Sequence, residues 1–398
     1  MARTGPRLGS PQHFFLLGTA AAAYGVAVVL LFRGRAPSGK ASLILCVALG
    51  FVARAPLVLK PAGTFDDTHR YLWDARLQRA GLNPYLVLPN DPAYARYHNS
   101  ATTLMNNQDV PSPYPPGAQY FFRGVTAFGE SLLVIKAMLV VAEALMVGLL
   151  GYWLMLQGKS LAWVLVYAWH PIAILETASA GHLDALGVLF VVAAVVSLVR
   201  GWRLASALAL AASISIKFLP LVLVPLLFKR VRAVHALAGA ALLGVLYVPF
   251  LDGWRVAPGS LGTFVDRFRF NQVLFDSAAS AVGARPAAML AVAAGLVTAV
   301  VLRWRSDISR PAAWAYPMAI ALLFSPVIYP WYLIWLFPFL FDLMTLPLLV
   351  WSLAIIPTYV VWTSTQHGAI WAVPRDVLAI EYGVTAMTGL LVIWSRRR

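Results

Sequence analysis

The stretch SLLVIKAMLVVAEALMVGLLGYWLML, residues 131–156, carries only two charged side chains, Lys136 and Glu143. A helix needs about 20 mostly apolar residues to cross the ~30 Å hydrocarbon layer of a bilayer. This stretch therefore predicts a membrane-spanning helix. Glu143 lies deep within it and is expected to face the bundle interior through an ion pair or hydrogen bond. Lys136 lies near one end, where its long side chain can reach the interface.

Comparable apolar runs fill most of the 398-residue chain. Hydrophobic residues make up 60% of it and charged residues 12%, against roughly 25% charged in ordinary soluble domains. Soluble, disordered and collagen-like classes are excluded, because a globule cannot hide so much apolar surface. We predict an all-α, polytopic transmembrane bundle forming one domain over residues 1–398. It has about thirteen spans, near residues 13–32, 41–59, 131–156, 161–179, 182–199, 204–216, 219–228, 233–251, 286–302, 311–327, 330–344, 346–363 and 378–395.

The orientation of the spans follows from the short basic loops. The chain has 31 Lys and Arg against 16 Asp and Glu, a formal net charge of +15. In a polytopic protein such an excess marks cytoplasmic loops, so it does not indicate a nucleic-acid partner. With thirteen spans, the basic loops fall on one side, which we assign to the cytoplasm; they contain Arg33, Arg35, Lys40, Lys159, Arg200, Arg203, Lys229, Arg230, Arg232, Arg303, Arg305, Arg310 and Arg396–Arg398. The long segment 60–130 is then extracytoplasmic and is expected to carry short interfacial helices.

The N-terminal region and the single cysteine add little to the functional prediction. Arg3 and Arg7 precede an apolar stretch that lacks a small-residue cleavage site, so a cleaved signal peptide is not expected. Cys46 is the one cysteine, so no intrachain disulfide is expected.

The first polar group directly follows the second predicted span. Asp66 and Asp67 are adjacent, and like charges so close raise the pKa of one carboxyl, which suits a general base. Asp67, Arg70, Asp74 and Gln78 share one stripe of a predicted helix. An interfacial helix with a solvated polar face is the alternative. The proline-rich stretch that follows, residues 107–122, contains Tyr114 and Gln119 and suits either a pocket wall or a plain interfacial turn.

Further polar residues lie at the same predicted end of later spans. ETASAGHLDALG, residues 176–187, places Glu176, His182 and Asp184 around a glycine turn. His-x-Asp supplies fewer ligands than a zinc site needs, so no metal is indicated, although a divalent ion stays possible.

Lys217 lies at a break between short apolar segments, where it suits phosphate binding or simple snorkelling. Tyr329 and Trp331 suit sugar stacking, lipid clamping or a plain interfacial aromatic belt. Because the topology gathers residues from five distant stretches on one face, we predict an outward-facing polar site.

These segments resemble a known family. DDTHRYLWDARLQRAGLNPY, residues 66–85, resembles the first extracytoplasmic loop of GT-C superfamily glycosyltransferases, especially the family-87-like, polyprenyl-phosphate-sugar-dependent mannosyltransferases. YPPGAQ, GHLDALG, IKFLPLVLVP and SPVIYPWYLIW follow in the same order, so the resemblance covers roughly residues 60–340. One departure is Trp73-Asp74-Ala75, where relatives usually have Trp-Asp-Gly.

The resemblance implies a hexosyltransferase, with mannose the expected sugar. Its donor would be a polyprenyl-phosphate sugar, and its acceptor a glycolipid, glycan or protein outside a bacterial plasma membrane. An acid at the start of the first outer loop would be the catalytic base, here Asp66 or Asp67. We favour Asp66, because Asp67 falls on the Arg70–Asp74 stripe. Candidate substrate-binding residues are Arg70, Asp74, Arg76, Tyr114, Gln119, His182, Asp184, Lys217, Tyr329 and Trp331.

The chemistry that this assignment requires is direct displacement at the anomeric carbon with inversion. The leaving phosphate needs a positively charged side chain nearby, which Arg70, Arg76, Lys217 or His182 could supply. The main alternative is a secondary transporter or flippase, although we find one clear helix break where transporters commonly have a pair. A non-catalytic subunit of an envelope complex is a third hypothesis.

Overall fold

The computed structural model describes residues 8–37, 39–61, 67–257, 259–368 and 370–396, and helices make up most of them. The sheet in these residues is one antiparallel pair of two-residue strands, Leu251–Asp252 and Arg255–Val256. The prediction of a mostly helical fold is confirmed.

Seven helical segments of the described residues are long and apolar enough to cross a membrane. They are Pro11–Phe32, Lys40–Leu59, Leu132–Leu156, Ala233–Phe250, Ala284–Arg305, Leu343–Thr365 and Arg375–Ser395. The pair Leu161–Ala168 and Pro171–Ala180, bent by 55°, would make an eighth if it is one broken span. Ser10 and Ser131 cap the starts of two long helices with their side chains.

Several predicted spans are shorter helical elements. Asp184–Val199, Arg203–Ile216 and Pro311–Leu323 are α-helices, whereas Leu219–Leu227 and Pro330–Phe339 form tighter 3₁₀ turns. The two 3₁₀ segments each contain two prolines, which remove backbone donors and prevent a regular α-helix. The thirteen-span count stays a prediction.

The helix Asp184–Val199 lies in the centre of the bundle. It packs against Leu132–Leu156, Arg203–Ile216 and Pro330–Phe339. A Cβ atom at Gly187 would overlap the ring of Trp335, so a glycine is needed for this close approach. This short helix is thus enclosed by other elements, and its ends are held at fixed positions.

A buried ion pair connects two of the long helical segments. Arg54 Nε lies 2.7 Å from Glu143 Oε2, and both side chains are 0% exposed. Tyr167 also donates to Glu143 at 3.0 Å. This confirms that Glu143 faces the interior, while Lys136 donates instead to the carbonyls of Leu57 and Lys60.

The segment between the second and third long helical segments folds onto the bundle. It contains the helices Thr68–Arg79, Pro92–Tyr97, Thr102–Leu104 and Pro116–Val125. Tyr71 and Phe122 from two of them join Ile135 and Leu139 of the next long helix in one apolar cluster. The polar side chains of this segment are therefore fixed relative to the bundle.

Three of the long helical segments are built from shorter pieces. Ala233–Phe250 consists of an α-helix, Ala233–Tyr247, and a 3₁₀ turn, and Lys40–Leu59 and Leu343–Thr365 are likewise built from shorter pieces. The other described helices are Leu261–Arg267 and Val273–Val282.

Three of the basic loops contact one another. Gln157 donates to the carbonyl of Ser309 at 2.7 Å, and Arg303 donates to that of Phe228 at 2.7 Å. Lys159 lies over the ring of Phe341. These contacts join loops that the charge pattern assigns to a single side.

Candidate active site

Asp67 immediately precedes the helix Thr68–Arg79 and lies beside His182. Its Oδ2 is 3.9 Å from His182 Nε2, and its Oδ1 accepts a hydrogen bond from Asn106 at 3.4 Å. The Asp67 side chain is 26% exposed, so it remains accessible to a substrate. Asp66, the other predicted base, lies outside the described residues.

A sharp turn at Gly181 brings His182 to this position. Gly181 adopts φ +77°, a left-handed conformation that L side chains rarely adopt. A Cβ atom there would also overlap the side chain of Thr68. The glycine thus allows the end of the π-helical turn Ile174–Ala180 to contact the start of the helix that follows Asp67.

The His182 ring is fixed on its Nδ1 side and on one face. Nδ1 lies 2.8 Å from Glu176 Oε2. The ring stacks on Trp331 at 4.0 Å between centroids and an 8° interplanar angle. Tyr329 stacks in turn on Trp331, at 4.3 Å and 12°. Nε2 is therefore the ring nitrogen directed toward Asp67.

The surrounding carboxylates favour protonated His182. Burial lowers the pKa of His182, but the hydrogen bond and charge of Glu176, with the charges of Asp67 and Asp184, raise it above its ordinary value. His182 therefore keeps its proton to a higher pH than a free imidazole does.

Two tyrosines are buried close to Asp67. Burial, followed by the charge of Asp67, raises the pKa values of Tyr71 and Tyr114 well above the ordinary value. Both hydroxyls therefore stay protonated near neutral pH. The Tyr71 and Tyr114 rings contact each other edge to face, with centroids 5.1 Å apart.

Lys217 and Asp184, which the sequence suggested as separate ligands, bind each other. Lys217 Nζ lies 2.8 Å from both carboxylate oxygens of Asp184. Trp335 Nε1 also donates to Asp184, at 2.6 Å. The charge of Lys217 is thus balanced within the protein.

Arg70 and Arg76 also contact protein groups. Arg70 is buried and donates to the carbonyls of Asn106, Asn107 and Val110, so it holds this loop beside Asp67. Arg76 forms an ion pair with Glu130. The structure shows no ion pair between Asp67 and Arg70, so the pairing that made Asp66 the favoured base is absent from the described residues.

Asp74 and Gln119 belong to a buried polar network. Ser112 Oγ and Gln119 Nε2 both donate to Asp74 Oδ2, at 2.5 and 2.8 Å. Gln78 donates to Gln119 at 2.8 Å. Asp74 is 0% exposed, so this network joins the helix Thr68–Arg79 to the proline-rich stretch.

The Asp74 network predicts a pH-dependent stability. Burial raises the pKa of Asp74 from 3.8 to about 6, against the charge of Arg70 and the hydrogen bonds from Ser112 and Gln119. The folded protein therefore binds a proton before the unfolded chain does, and stability rises as the pH falls from 8 to 5, by about 1.4 kcal/mol. Thermal unfolding of wild type and Asp74→Asn over this range tests it. The Asp74→Asn variant should lack this gain in stability at low pH. Equal pH dependences of the wild type and the variant would contradict the prediction.

Three residues around the site were absent from the predicted set. Glu176 was noted near the turn but was not assigned a role. Asn106 lies in the polar stretch that precedes the prolines. Tyr359, whose hydroxyl donates to Glu176, comes from 183 residues further along the chain. No local signal in the apolar run around Tyr359 indicates this contact.

The arrangement combines a partly exposed carboxylate, an imidazole whose pKa is raised by neighbouring acids, and an aromatic stack. Such a set can accept a proton from a hydroxyl, meet an anion and contact the face of a sugar ring. Among the described residues, no group of three or more His, Cys, Asp or Glu is placed to hold a metal ion.

Comparison with known proteins identifies one family. Residues 8–232, more than half of the chain, match a family model described as "Alpha-(1->6)-mannopyranosyltransferase, N-terminal domain". The match contains Asp67, Glu176, His182 and Lys217, while Trp331 follows it. No curated protein matches the chain.

Proposed function

The chain belongs to the alpha-(1->6)-mannopyranosyltransferase family, and we propose that it transfers mannose from a polyprenyl-phosphate donor to a glycolipid, glycan or protein acceptor outside a bacterial plasma membrane. The protein is a mannosyltransferase with several helices able to span a membrane. The donor, the acceptor, the thirteen-span topology and the family-87-like subtype are the parts that we propose beyond this family membership.

The pairing of Asp67 with His182 supports this proposal best. A lipid-linked phosphate leaves as an anion, and its charge must be stabilised as the sugar departs. Arg70, Arg76 and Lys217 each contact protein groups. His182 differs from them, because its Nε2 lies 3.9 Å from Asp67, a candidate catalytic base.

The reaction proposed is a single displacement. The acceptor oxygen bonds to the anomeric carbon and loses its proton to an Asp carboxylate, either Asp66 or Asp67. The bond between that carbon and the phosphate oxygen breaks, and its electron pair leaves with the phosphate. Nε2 of His182 donates a hydrogen bond to the departing phosphate. Inversion that gives an α-(1→6) product requires a β-linked donor and a 6-hydroxyl acceptor.

The aromatic stack is proposed to bind the sugar or the first part of the lipid. Tyr329 and Trp331 form consecutive layers next to His182. Aromatic faces pack well against the apolar faces of sugars and prenyl chains. Burial, followed by the charge of Asp67, raises the pKa of Tyr329, so its hydroxyl stays protonated near neutral pH.

A reconstituted transfer assay tests the function. Purified protein in lipid nanodiscs is given β-linked polyprenyl-phosphate mannose and an α-mannoside acceptor, and the product linkage is determined by NMR. We expect an α-(1→6) mannoside, and no product when a nucleotide sugar replaces the lipid donor. Movement of the lipid-linked sugar across vesicle membranes without a new glycosidic bond would support the transporter alternative and contradict the proposal.

A further inference from the structure

Glu176 is a buried carboxyl with two side-chain contacts in the described residues. Its side chain is 4% exposed. The hydroxyl of Tyr359 donates to Oε1, and Nδ1 of His182 lies 2.8 Å from Oε2. Tyr359 is itself fully buried, and its ring contacts that of His13 with centroids 5.3 Å apart. Glu176 therefore connects the interior of the bundle to the ring that faces Asp67.

The contacts of His182 leave one nitrogen for a ligand. A carboxylate next to one imidazole nitrogen favours a proton on that nitrogen and so favours the doubly protonated ring. Glu176 lies at Nδ1 and Trp331 lies against the ring face, so a flip of the ring would lose the Glu176 contact and a tilt would lose the stack on Trp331. Nε2 is 3.9 Å from Asp67, beyond hydrogen-bond distance, so it can donate to another acceptor.

The charged groups facing His182 come from three elements. Glu176 precedes it in the π-helical turn, Asp67 lies at the start of the helix Thr68–Arg79, and Asp184 begins the next helix. Lys217 pairs with Asp184, and Trp331 covers the ring with a neutral indole. The surroundings of the ring are therefore net negative, and Glu176 is the closest acid.

We infer that Glu176 is a positioning residue that holds His182 as an imidazolium, with the Nε2 proton directed at the oxygens of the leaving phosphate. The inference rests on the proposed mannosyl transfer. His182 keeps both protons during the displacement and stabilises the phosphate through a hydrogen bond. Tyr359 keeps the Glu176 carboxylate oriented toward Nδ1.

The consequence is a dependence of phosphate binding on pH that Glu176 controls. An opposite charge as close as the 2.8 Å between Glu176 and His182 raises the pKa of a histidine by about 1–3 pH units. Without the Glu176 charge, His182 should lose its proton at lower pH, while its ring stays stacked on Trp331. Binding of a phosphate to Glu176→Gln should then weaken at a pH at which the wild type still binds.

The experiment measures binding of farnesyl phosphate to the full-length protein in detergent between pH 5.5 and 9. We expect wild-type binding to persist above pH 7 and the loss of binding to move down by about 1 pH unit or more in Glu176→Gln. At pH 5.5 the two proteins should bind within about twofold of each other, and near pH 8 the variant should bind about tenfold more weakly. An unchanged pH profile in the variant would overturn the inference.

Glu381→Gln is the matched control. Glu381 is also a buried carboxyl held by two side-chain donors, Asn271 and Trp351. Its replacement should leave the pH profile of phosphate binding unchanged, since it does not face His182. A shift as large as that of Glu176→Gln would show a general effect of removing buried acids and would overturn the inference.

Two further measurements keep the test decisive. If Glu176→Gln does not fold, as judged by size-exclusion chromatography, the wild type decides: loss of binding at or below pH 6.5 overturns the inference. Unchanged binding in His182→Gln also overturns it. If the protein transfers mannose and Glu176→Gln has the same pH profile as the wild type, only the inference is contradicted. If phosphate binding depends on Glu176 as expected but no mannose is transferred, only the proposed function is contradicted.

Discussion

Asp67→Asn is expected to lower kcat/KM for mannosyl transfer by about 10²–10⁴-fold, because a positioned general base contributes a factor of that size. An acceptor hydroxyl has a pKa far above neutral and needs a base as it attacks. Asparagine matches aspartate in size but cannot take the proton. The surroundings of Asp67 suit the role, with His182 Nε2 at 3.9 Å, Asn106 donating to Oδ1, and a partly exposed carboxylate.

The controls for this experiment separate the two adjacent acids from a general effect of charge. Asp66→Asn is assayed in parallel, and a 10²–10⁴-fold loss there with Asp67→Asn near wild type would make Asp66 the base. Asp109→Asn removes an exposed acid of the same segment that pairs with Arg267, and should leave the rate within about twofold. Full activity in both single variants and in the double variant would rule out an Asp base.

The overall fold was predictable because the cost of apolar surface in water dominates the sequence. Long uninterrupted runs such as 131–156 became long helices. The interior elements were harder to delimit. Leu219–Leu227 and Pro330–Phe339 are as apolar as spans, but their prolines break the α-helical ladder, and surrounding helices rather than propensity hold them in place.

The site was predictable as a set of residues, although the contacts within it were not. Few acids occur in the chain, so Asp67 and Asp184 stood out, and the spans placed them at one end. Asp184 and Lys217 are 33 residues apart, and their pairing depends on how the helices Asp184–Val199 and Arg203–Ile216 pack. Spacing along one helix, which related Asp67 to Arg70, does not determine whether the carbonyls of a later loop bind that arginine instead.

The contact between Glu176 and Tyr359 shows more clearly that the sequence alone does not identify long-range partners. Glu176 was visible beside a glycine turn, but its partner Tyr359 lies in an apolar run like any other. A buried carboxyl requires hydrogen-bond donors, so its burial predicts that partners exist. It does not predict which donors, because that depends on the packing of the whole bundle.

Glu143→Gln is expected to destabilise the protein by about 3–5 kcal/mol, because it leaves a buried charge without its partner. Arg54 and Glu143 are both 0% exposed and lie 2.7 Å apart. Glutamine keeps the shape and an acceptor for Tyr167, but the Arg54 guanidinium retains its positive charge among apolar helices. Its contacts with the carbonyls of Gly50 and Ala168 supply dipoles, not a counter-charge. Unfolding in detergent with increasing SDS measures the change in free energy.

Two variants show whether the lost charge balance causes this effect. Glu130→Gln breaks the pairs with Arg76 and Arg79, whose side chains are 27% and 34% exposed, and should cost less than about 1 kcal/mol. The double variant Arg54→Met, Glu143→Leu removes both charges and should be less destabilised than Glu143→Gln, since an apolar pair of similar volume needs no counter-ion. If the double variant is the less stable of the two, packing rather than charge determines the stability at this position. A cost below about 1 kcal/mol for Glu143→Gln would contradict the prediction itself, because a buried guanidinium without a counter-ion cannot be so cheaply accommodated.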